Sequence, residues 1–408
     1  MSADAWRPQR ESGPQGTPAM RIGIFSNTYH PAVNGVALCV EQYVQGLQAR
    51  GHEVVIFAPA PDDYDRSQDP EWVYRFPALP LPVDMDYSIA VPYSRQVAKA
   101  LRRLDFDIIH TQHPWWVGAW GQWYARWTNT PLVTTVHSHY WLFARLVPLP
   151  EPLVEAYMRV RVTAHCNKCD LVATPVESMR RMLEQEGVRT PIEIVPNPTD
   201  LARFLDADAS QVRGRYGLPP EAVVLGFVGR LSPEKNLPFL LEAVGQVLRS
   251  HPEAYLLVVG EGSERADLEQ QVARQHLTGR VLLAGLVPHE EIPQYQAAFD
   301  LFVTASLGET QPLAYTEAMA AGRPVVAVAG PGAEDMIQPD YNGLLAPAGA
   351  EPAVLASRIE ELVEDPTRRA RLGAQARESA LRFDLPAVAE RLEQVYHRAL
   401  AEAAEEPI

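Results

Sequence analysis

Short runs of β-branched and aliphatic residues alternate along this chain with stretches of helical periodicity. Such alternation predicts parallel sheets whose strands are joined by crossover helices. One series extends from the predicted strand Arg21–Ser26 to Ile192–Val195, and a second extends from Val223–Val228 to Val325–Val328. Since 408 residues exceed what one hydrophobic core usually organises, we expect an α/β chain with two Rossmann-like domains.

Polar and proline-rich stretches predict where the domains begin and end. Residues 1–19 are polar and rich in Gly and Pro, without the apolar region of a signal peptide, so we expect a disordered tail. The stretch Pro196-Asn197-Pro198 ends the first series, which predicts an N-terminal domain at 20–197 and a C-terminal domain at 198–383. The helical pattern at 384–408 predicts a segment that crosses back onto the N-terminal domain.

Two segments interrupt the alternation. Asp62–Pro92 is rich in Pro and Asp, and we interpret it as a long loop with one short strand. Thr199–Glu221 follows the proline pair, and we interpret it as a linker between the two domains.

A tryptophan stripe is predicted on the helix that follows residue 115. Its members are spaced i, i+4, i+7 and i+11 and therefore share one helix face: Trp116, Trp120, Trp123 and Trp127. Core packing is the favoured interpretation, and the alternative is a surface that faces lipid or a partner. His139–Val162 adds aromatic and aliphatic residues interspersed with Arg145, Arg159 and Arg161, a pattern typical of an amphipathic segment that touches a membrane.

The charge balance argues against nucleic acid as the main partner. The chain has 51 Asp and Glu against 36 Lys and Arg, a net charge of −15, whereas phosphate backbones select basic surfaces. Residues 1–200 carry 18 basic and 21 acidic side chains, and the remainder carries 18 basic and 30 acidic. The near-neutral N-terminal half fits contact with an anionic membrane, and it fits uneven surface charge equally well.

The cysteines and the apolar segments limit the cellular setting. Cys39, Cys166 and Cys169 form no disulfide framework, and Cys166-x-x-Cys169 lacks the second pair that a zinc site would need. We therefore expect no bound metal and a reducing compartment, the cytoplasm. Nothing approaches about 18 uncharged apolar residues in a row, so any membrane contact is expected to be peripheral.

The segment Gly308–Glu317 carries the strongest functional signal. It follows the predicted strand Leu301–Thr304 and leads into a helix, where backbone N–H groups and the helix dipole favour an anion. Glu309 and Glu317 would then reach different hydroxyl-bearing parts of one extended ligand. The alternative interpretation is that both are solvent-exposed carboxylates without a ligand. We predict that a diphosphate binds at the helix start, which comprises Thr310, Gln311, Pro312 and Leu313, with the proline in the first turn.

Two cations follow the first strand of the second series. Arg230 and Lys235 lie just after Val223–Val228, at the carboxyl end of that strand. Fixed cations there can neutralise a diphosphate leaving group without a metal. The alternative is a surface pair beside Glu234.

The first series offers a second group of candidates. Gly35, in the loop and helix start after the first strand, leaves room for a phosphate. His137 follows the predicted strand Leu132–Val136 and is suited to bind a sugar hydroxyl, unless it is a buried structural histidine. His30, Tyr140 and Trp141 are candidates for acceptor binding. No suitable G-x-G-x-x-G occurs, so we expect no dinucleotide cofactor.

These motifs resemble glycosyltransferase family 4, and most closely its diacylglycerol glucosyltransferases. The resemblance extends over nearly all of Met20–Arg382. Its most specific part is the family's E-x7-E element, here Glu309 to Glu317 in a Glu-Thr-Gln-x-Leu context. The other matching motifs are Asn34-Gly35-Val36, Thr135-Val136-His137-Ser138 and Gly229-Arg230 with Lys235.

The resemblance implies a GT-B fold, with a cleft between two facing Rossmann-like domains, and transfer with retention of anomeric configuration. A front-face reaction, in which the leaving phosphate is the base, is the usual proposal and needs no protein nucleophile. The implied roles are diphosphate binding for Arg230 and Lys235, ribose binding for Glu317, binding of the transferred sugar for Glu309, phosphate contact for Gly35 and contact near the reacting carbon for His137.

Two positions depart from the family pattern. Pro312 stands where lipid-glucosylating relatives often have Gly, which removes one N–H donor. Pro196-Asn197-Pro198-Thr199-Asp200 replaces the commoner Pro-Asn-Gly-hydrophobic-Asp hinge. Neither departure changes the expected reaction class.

The expected function is transfer of a hexose, glucose from UDP-glucose, to diacylglycerol or a related lipid, giving an α-linked glycolipid at the inner face of the cell membrane. One alternative is a transferase of the same family that acts on a phosphatidylinositol, a glycan or a small metabolite. The other is a non-catalytic module that binds nucleotide sugars or membranes.

Overall fold

The structure, a computed structural model, describes residues 19–32, 34–60, 64–80, 88–91, 94–141, 144 and 147–405. The predicted tail, except for Ala19, and Arg145 lie outside the described residues. The chain divides into two compact units. The N-terminal unit comprises the chain up to Pro198 together with the segment from Leu385 onward, and the C-terminal unit comprises Thr199–Asp384.

Fourteen strands are present in the described residues, eight in the N-terminal unit and six in the C-terminal unit. They are β1 Arg21–Phe25, β2 Glu53–Ala60, β3 Val73–Pro80, β4 Ser88–Ala90, β5 Ile108–Thr111, β6 Leu132–Thr135, β7 Leu171–Thr174, β8 Ile192–Ile194, β9 Val223–Val228, β10 Ala254–Val259, β11 Val281–Gly285, β12 Leu301–Thr304, β13 Val325–Val328 and β14 Gly343–Ala346.

The α-helices cover the sheets. They are α1 Gly35–Ala49, α2 Arg95–Leu101, α3 Trp116–Thr128, α4 Glu151–Cys166, α5 Glu177–Gln185, α6 Ala202–Leu205, α7 Ser210–Arg215, α8 Leu237–Ser250, α9 Arg265–Arg274, α10 Ile292–Ala298, α11 Leu313–Ala320, α12 Pro331–Met336, α13 Pro352–Glu364, α14 Pro366–Ala380 and α15 Leu385–Glu405. Among these described helices, none combines the length and the apolar character that crossing a membrane requires.

Both sheets have the strand order of a doubly wound fold. The N-terminal sheet runs β4-β3-β2-β1-β5-β6-β7-β8, and only its edge pair β3–β4 is antiparallel. The C-terminal sheet runs β11-β10-β9-β12-β13-β14 and is parallel throughout. The order therefore reverses between β1 and β5 in one unit and between β9 and β12 in the other. Open α/β sheets bind ligands at such reversals, beyond the carboxyl ends of the strands. The predicted α/β class is confirmed.

The last helix packs within the N-terminal unit. Val388, Leu392 and Tyr396 of α15 are buried in the same hydrophobic cluster as strand β1. A methyl group added to Gly46 of α1 would lie 2.7 Å from the Ala389 side chain, so the two helices approach closely at this glycine. Burial of apolar side chains therefore joins the two ends of the chain into one core.

The interpretation of Asp62–Pro92 as mainly loop is wrong for its described residues. Strand β3 occupies eight residues and pairs in parallel with β2. Val73 and Phe76 of this strand are buried. Its prolines suggested a loop, but β3 lies near the sheet edge, where a missing N–H donor is tolerated.

The interpretation of Thr199–Glu221 as a linker is also wrong. The segment contains α6 and α7 and belongs to the C-terminal unit. Leu201, Phe204 and Val212 are buried in a hydrophobic cluster together with strand β13. These helices are too short, at four and six residues, to show a clear apolar period in the sequence.

Of the tryptophan stripe, only Trp120 packs against the core, whereas Trp116, Trp123 and Trp127 are exposed. Trp123 and Trp127 are 54% and 65% exposed, and their rings stack on each other with centroids 5.7 Å apart. The opposite face of α3 is buried through small residues: a methyl group on Gly121 would lie 2.6 Å from Phe25. Because glycine brings the helix so close to the sheet, the bulky rings face outward. The alternative, a surface for lipid or a partner, stays a prediction.

Candidate active site

In the C-terminal unit, two predicted site segments meet at the point where the strand order reverses. Strands β9 and β12 are parallel neighbours, so the loops that follow them leave the same edge of the sheet. The first loop carries Arg230 and Lys235, and the second carries Glu309. The Leu307 N–H donates to the Glu234 carbonyl at 3.0 Å and connects the two loops.

Lys235 and Glu309 form a direct ion pair. The Lys235 ammonium donates to Glu309 Oε1, and each side chain is about one-fifth exposed. Burial, and after it the Glu309 charge, raises the pKa of Tyr315, which therefore remains a neutral phenol. The arrangement presents one cation and one carboxylate side by side at the sheet edge.

Close backbone packing holds the Arg230 loop. The Leu231 N–H donates to the Glu261 carbonyl at 2.8 Å, and the Glu264 N–H donates to the Leu231 carbonyl at 2.9 Å. Gly260 has a φ of 138°, and a methyl group there would lie 1.9 Å from the Gly229 carbonyl oxygen. Only glycine allows this approach, so the loop that carries Arg230 has a fixed path.

The helix after Glu309 begins one residue later than we expected. Pro312 is the N-cap residue, and α11 starts at Leu313 without a side-chain cap. The Tyr315 N–H donates to the Pro312 carbonyl at 3.1 Å, whereas the first N–H groups of a helix have no acceptor within it. Together with the helix dipole, these groups suit a phosphate. Thr310 and Gln311 are buried just before this start.

Gly332, on α12, contacts the backbone of the loop that carries Glu309. Its N–H donates to the Glu309 carbonyl at 3.2 Å. A methyl group at this position would lie 2.4 Å from the Thr310 carbonyl oxygen. The position of the Glu309–Thr310 peptide therefore depends on a glycine on α12.

Glu317 lies farther along α11 and is 6% exposed. Its Oε1 is 3.4 Å from Nε2 of His289, a residue that follows strand β11. The structure thus brings the predicted site residues Lys235 and Glu309 into contact. The Glu317 side chain instead contacts His289. Arg230 shares the loop of Lys235.

In the N-terminal unit, Gly35 is the first residue of α1. The preceding Asn34 caps the helix by accepting from the Ala37 N–H at 3.0 Å, and it donates to the Thr28 hydroxyl at 2.7 Å. A methyl group on Gly35 would meet no described atom within 4 Å. The space beside this helix start is therefore open.

His137 follows β6 and is buried. Its Nε2 lies 2.7 Å from the side-chain oxygen of Gln112, which follows the neighbouring strand β5. Burial lowers the pKa of His137 to about 4, although a hydrogen bond with Asn197 raises it. The ring is therefore neutral at pH 7, and its two nitrogens comprise one donor and one acceptor.

The three acceptor-binding candidates have different surroundings. His30 is about 40% exposed and lies 2.9 Å from the Glu41 carboxylate, a hydrogen bond that raises its pKa. Tyr140 and Trp141 are buried. The Tyr140 hydroxyl donates to the Gln112 carbonyl at 3.4 Å, and the Trp141 ring packs under the Arg159 guanidinium at 4.4 Å. Of the three, His30 has the most accessible side chain.

Family models match nearly the whole described chain. Residues 33–203 match the model described as Glycosyltransferase Family 4, and residues 208–379 match the model described as Glycosyl transferases group 1. The chain is 30% identical to an alpha-monoglucosyldiacylglycerol synthase of Streptococcus pneumoniae, over 80% of this chain and 75% of that protein. The chain belongs to glycosyltransferase family 4.

Other relatives of this glycosyltransferase include a second protein of the same name and one named for a different donor. It is 26% identical to the alpha-monoglucosyldiacylglycerol synthase of Acholeplasma laidlawii, over 75% of this chain and 80% of that protein. It is also 30% identical to a GDP-mannose-dependent alpha-mannosyltransferase of Mycobacterium tuberculosis, over 91% of this chain and 95% of that protein.

Solved structures of similar fold are glycosyltransferases of the GT-B class. The Thermosynechococcus elongatus sucrose-phosphate synthase superposes with a TM-score of 0.77 at 23% identity, over 94% of this chain and 99% of that one. Anabaena HepE, in complex with UDP and glucose, superposes with a TM-score of 0.72 at 23% identity, over 92% and 99%. The expected GT-B fold and hexosyltransferase class are confirmed.

Sequence reasoning missed several residues of this glycosyltransferase that contact the candidate positions. Gln112 follows β5 as His137 follows β6, so the rule that directed attention to strand ends also applied to Gln112. His289 follows β11 in the same way. Gly332 follows β13 at the same separation as His289 follows β11, but a glycine has no side chain that suggests a role. Arg203, which contacts His289, gave no such signal because it lies within α6 and follows no strand end.

Proposed function

We propose that this glycosyltransferase moves glucose from UDP-glucose to diacylglycerol or a related lipid and forms an α-linked glycolipid. The observation that carries the donor half of the proposal is the Lys235–Glu309 pair beside the start of α11. The two relatives named alpha-monoglucosyldiacylglycerol synthases support the glucose donor and the lipid acceptor.

The proposed donor site divides the donor between three features of the C-terminal unit. Arg230, Lys235 and the free N–H groups at the α11 start bind the diphosphate, because cations and a helix start both attract anions. Glu309 accepts hydrogen bonds from hydroxyls of the transferred sugar. Glu317 accepts hydrogen bonds from the ribose.

The proposed reaction needs no protein nucleophile and no metal. The bond between the anomeric carbon and the β-phosphate oxygen breaks, the acceptor hydroxyl oxygen attacks from the same face, and its proton passes to a leaving phosphate oxygen. The Lys235 charge stabilises the diphosphate as it departs. From the N-terminal unit, Gly35 gives room for the phosphates, and the neutral His137 binds a sugar hydroxyl near the reacting carbon.

We also propose that the protein works in the cytoplasm, peripherally bound to an anionic membrane through its N-terminal unit. Exposed apolar side chains on α4 support this role, namely Leu153, Tyr157 and Val160, in addition to the exposed tryptophans of α3. Apolar helix faces insert into the boundary between lipid headgroups and acyl chains. In flotation with anionic vesicles, wild-type protein should rise with the vesicles. The double variant Leu153→Ser/Val160→Ser should stay at the bottom of the gradient.

A second candidate donor is GDP-mannose. The mannosyltransferase relative aligns over more of both chains than the glucosyltransferase relatives do, at the same 30% identity as the pneumococcal one. Both donors present a diphosphate, a ribose and a hexose to the proposed site, so the site residues alone suit either sugar nucleotide.

The test is a matrix of UDP-, GDP- and ADP-sugars against diacylglycerol, phosphatidylinositol and water, with product mass as the readout. We expect a monohexosyl diacylglycerol from UDP-glucose, α-linked by NMR, and the same rate in excess EDTA. A mannosylated product from GDP-mannose would replace the donor assignment. If the enzyme only hydrolyses the donor, the proposed lipid acceptor is wrong. If EDTA abolishes activity and Mg²⁺ restores it, the proposed metal-free reaction is wrong.

A further inference from the structure

His289 connects the proposed ribose carboxylate to the segment at the start of the C-terminal unit. Its Nε2 lies 3.4 Å from Glu317 Oε1, and its Nδ1 lies 3.3 Å from a guanidinium nitrogen of Arg203. A second Arg203 nitrogen donates to the main-chain carbonyl of His289 at 3.0 Å. The three side chains therefore form one continuous chain of hydrogen bonds.

The guanidinium determines which nitrogen of His289 carries the hydrogen. A guanidinium group only donates hydrogen bonds, so Nδ1 of His289 must be the acceptor. A neutral imidazole has a single N–H, which then resides on Nε2 and faces the Glu317 carboxylate. Arg203 thus selects the tautomer in which His289 donates to Glu317.

The donated hydrogen bond fixes the orientation of the carboxylate. Glu317 is almost fully buried on α11, and His289 is largely buried beside it. With Oε1 bound to His289, rotation of the carboxylate is restricted, and Oε2 is left to accept from a second donor. A hydroxyl of a bound ribose is such a donor, because a carboxylate accepts hydrogen bonds at both oxygens.

We propose that His289 and Arg203 are positioning residues for nucleoside diphosphate binding. Arg203 sets the tautomer of His289, His289 orients Glu317, and Glu317 accepts a hydrogen bond from a ribose hydroxyl. The inference rests on the proposed function, which assigns the ribose to Glu317. Since UDP, GDP and ADP share the ribose, it does not depend on the base that the enzyme selects.

The experiment measures nucleotide binding to the full chain by calorimetry. UDP, GDP and ADP are titrated into wild type first, and the tightest binder is then compared with its 2′-deoxy and 3′-deoxy forms. We expect His289→Ala to weaken binding of the ribonucleotide roughly tenfold. The loss should shrink to less than about twofold for the deoxy form that lacks the hydroxyl bound by Glu317, and likewise in a Glu317→Ala background.

Further variants separate positioning from folding. His289→Gln keeps an N–H donor and should recover part of the affinity, whereas Arg203→Met should lose part of it. These two variants also carry the test if His289→Ala fails to fold. The matched control is His276→Asn, an exposed histidine of the same unit whose φ of 57° asparagine tolerates. It should bind nucleotide as wild type does.

Two results would overturn the inference, and they differ from each other. If wild type binds nucleotide but His289→Ala weakens the ribo and deoxy forms equally, His289 supports the fold and not the ribose contact. If wild type binds none of the three nucleotides, the proposed function itself is wrong, and the inference fails with it.

Discussion

Lys235 and Glu309 are 74 positions apart in the sequence, and their side chains form an ion pair. The pair is partly buried at the end of strands β9 and β12. In such a position each charge depends on the other, because an unpaired charge that is partly removed from water is costly. In the proposed function, the diphosphate of a nucleotide sugar offers Lys235 a second anion and its hexose offers Glu309 a hydroxyl, so the pair is suited to open when the donor binds.

At the residue scale, we predict that Lys235→Ala and Glu309→Ala each reduce hexosyl transfer on the order of 100-fold, because each removes a group assigned to the charge or the hydroxyls of the proposed donor. Each substitution leaves the partner charge unpaired, so the melting temperature should fall by a few degrees, and transfer is compared at a temperature at which both variants remain folded. The measurements are UDP release in the presence of acceptor and thermal unfolding. Lys168→Ala, an exposed lysine of the N-terminal unit, is the control. Near-normal turnover in both site variants would contradict the assignment.

Gly332 allows a second prediction at this scale. Gly332→Ala should lower transfer about tenfold or more, because the new methyl group would displace the Glu309–Thr310 peptide by its overlap with the Thr310 carbonyl oxygen. The matched control is Gly330→Ala, two residues earlier, where an added methyl group meets no described atom within 4 Å. Equal activity of the two variants would mean that the loop adapts without loss.

At the element scale, α15 is the helix that completes the N-terminal core. Arg50 at the end of α1 and His52 both bind the Glu393 carboxylate of α15, with the histidine at 3.1 Å. The pKa of Glu393 is lowered overall: burial raises it, but the hydrogen bond and charge of Arg50 outweigh this. The Tyr396 hydroxyl is 2.8 Å from His110 Nδ1. Both apolar burial and polar contacts therefore fix this helix.

We predict that Leu392→Ala destabilises the N-terminal unit by about 2–5 kcal/mol, because the side chain is fully buried and its loss leaves a cavity. Glu390→Ala, an exposed position on the same helix, should change stability by less than about 0.5 kcal/mol. Urea unfolding followed by tryptophan fluorescence is the measurement. Equal stability of the two variants would show that α15 does not belong to this core.

Element identity was predictable wherever the apolar run was long enough to show a period. The strands at both sheet centres were read correctly from their β-branched residues. The errors arose at β3, at α6 with α7, and on α3, where the outcome depended on surroundings. The prolines of β3 are tolerated because the strand lies near the sheet edge. The exposed tryptophans of α3 point to solvent because glycines on its opposite face pack against the sheet. Neither surrounding can be recognised from the local sequence pattern.

At the scale of the whole molecule, five histidines are buried among the described residues: His52, His110, His113, His137 and His165. Burial lowers the pKa of His110 and of His165 to about 3 and that of His137 to about 4, and it lowers the pKa of His113 strongly. All of them lie in the N-terminal unit. In the unfolded chain the same rings take up protons near pH 6.5.

These pKa values predict how stability depends on pH. Because the unfolded state binds more protons below pH 6.5, the N-terminal unit should lose stability as pH falls from about 6.5 to about 4, by about 1.4 kcal/mol per pH unit for each neutral buried histidine. All eight tryptophans precede residue 142, so their fluorescence reports this unit alone. Unfolding at pH 7.5, 6 and 5 measures the slope.

A variant tests the origin of that slope. His110→Gln should reduce the slope of stability against pH by the contribution of one buried histidine. His276→Asn, at an exposed position of the C-terminal unit, should leave the slope unchanged. A stability that is constant from pH 7.5 to 5 would contradict the prediction, since it would require the folded rings to take up protons as readily as the unfolded ones.

The sequence by itself determined the α/β class, the number of strand series and the strand ends at which the site candidates lie, because periodicity and strand-end position are local properties of the chain. The motifs around Glu309 and Glu317 determined the family. Only the tertiary structure decided that β9 lies beside β12, which brings Lys235 to Glu309, and that Arg203 contacts His289 while His289 contacts Glu317. Such contacts depend on which distant segments become neighbours, and strand order and core packing set that, not any property of the individual segments.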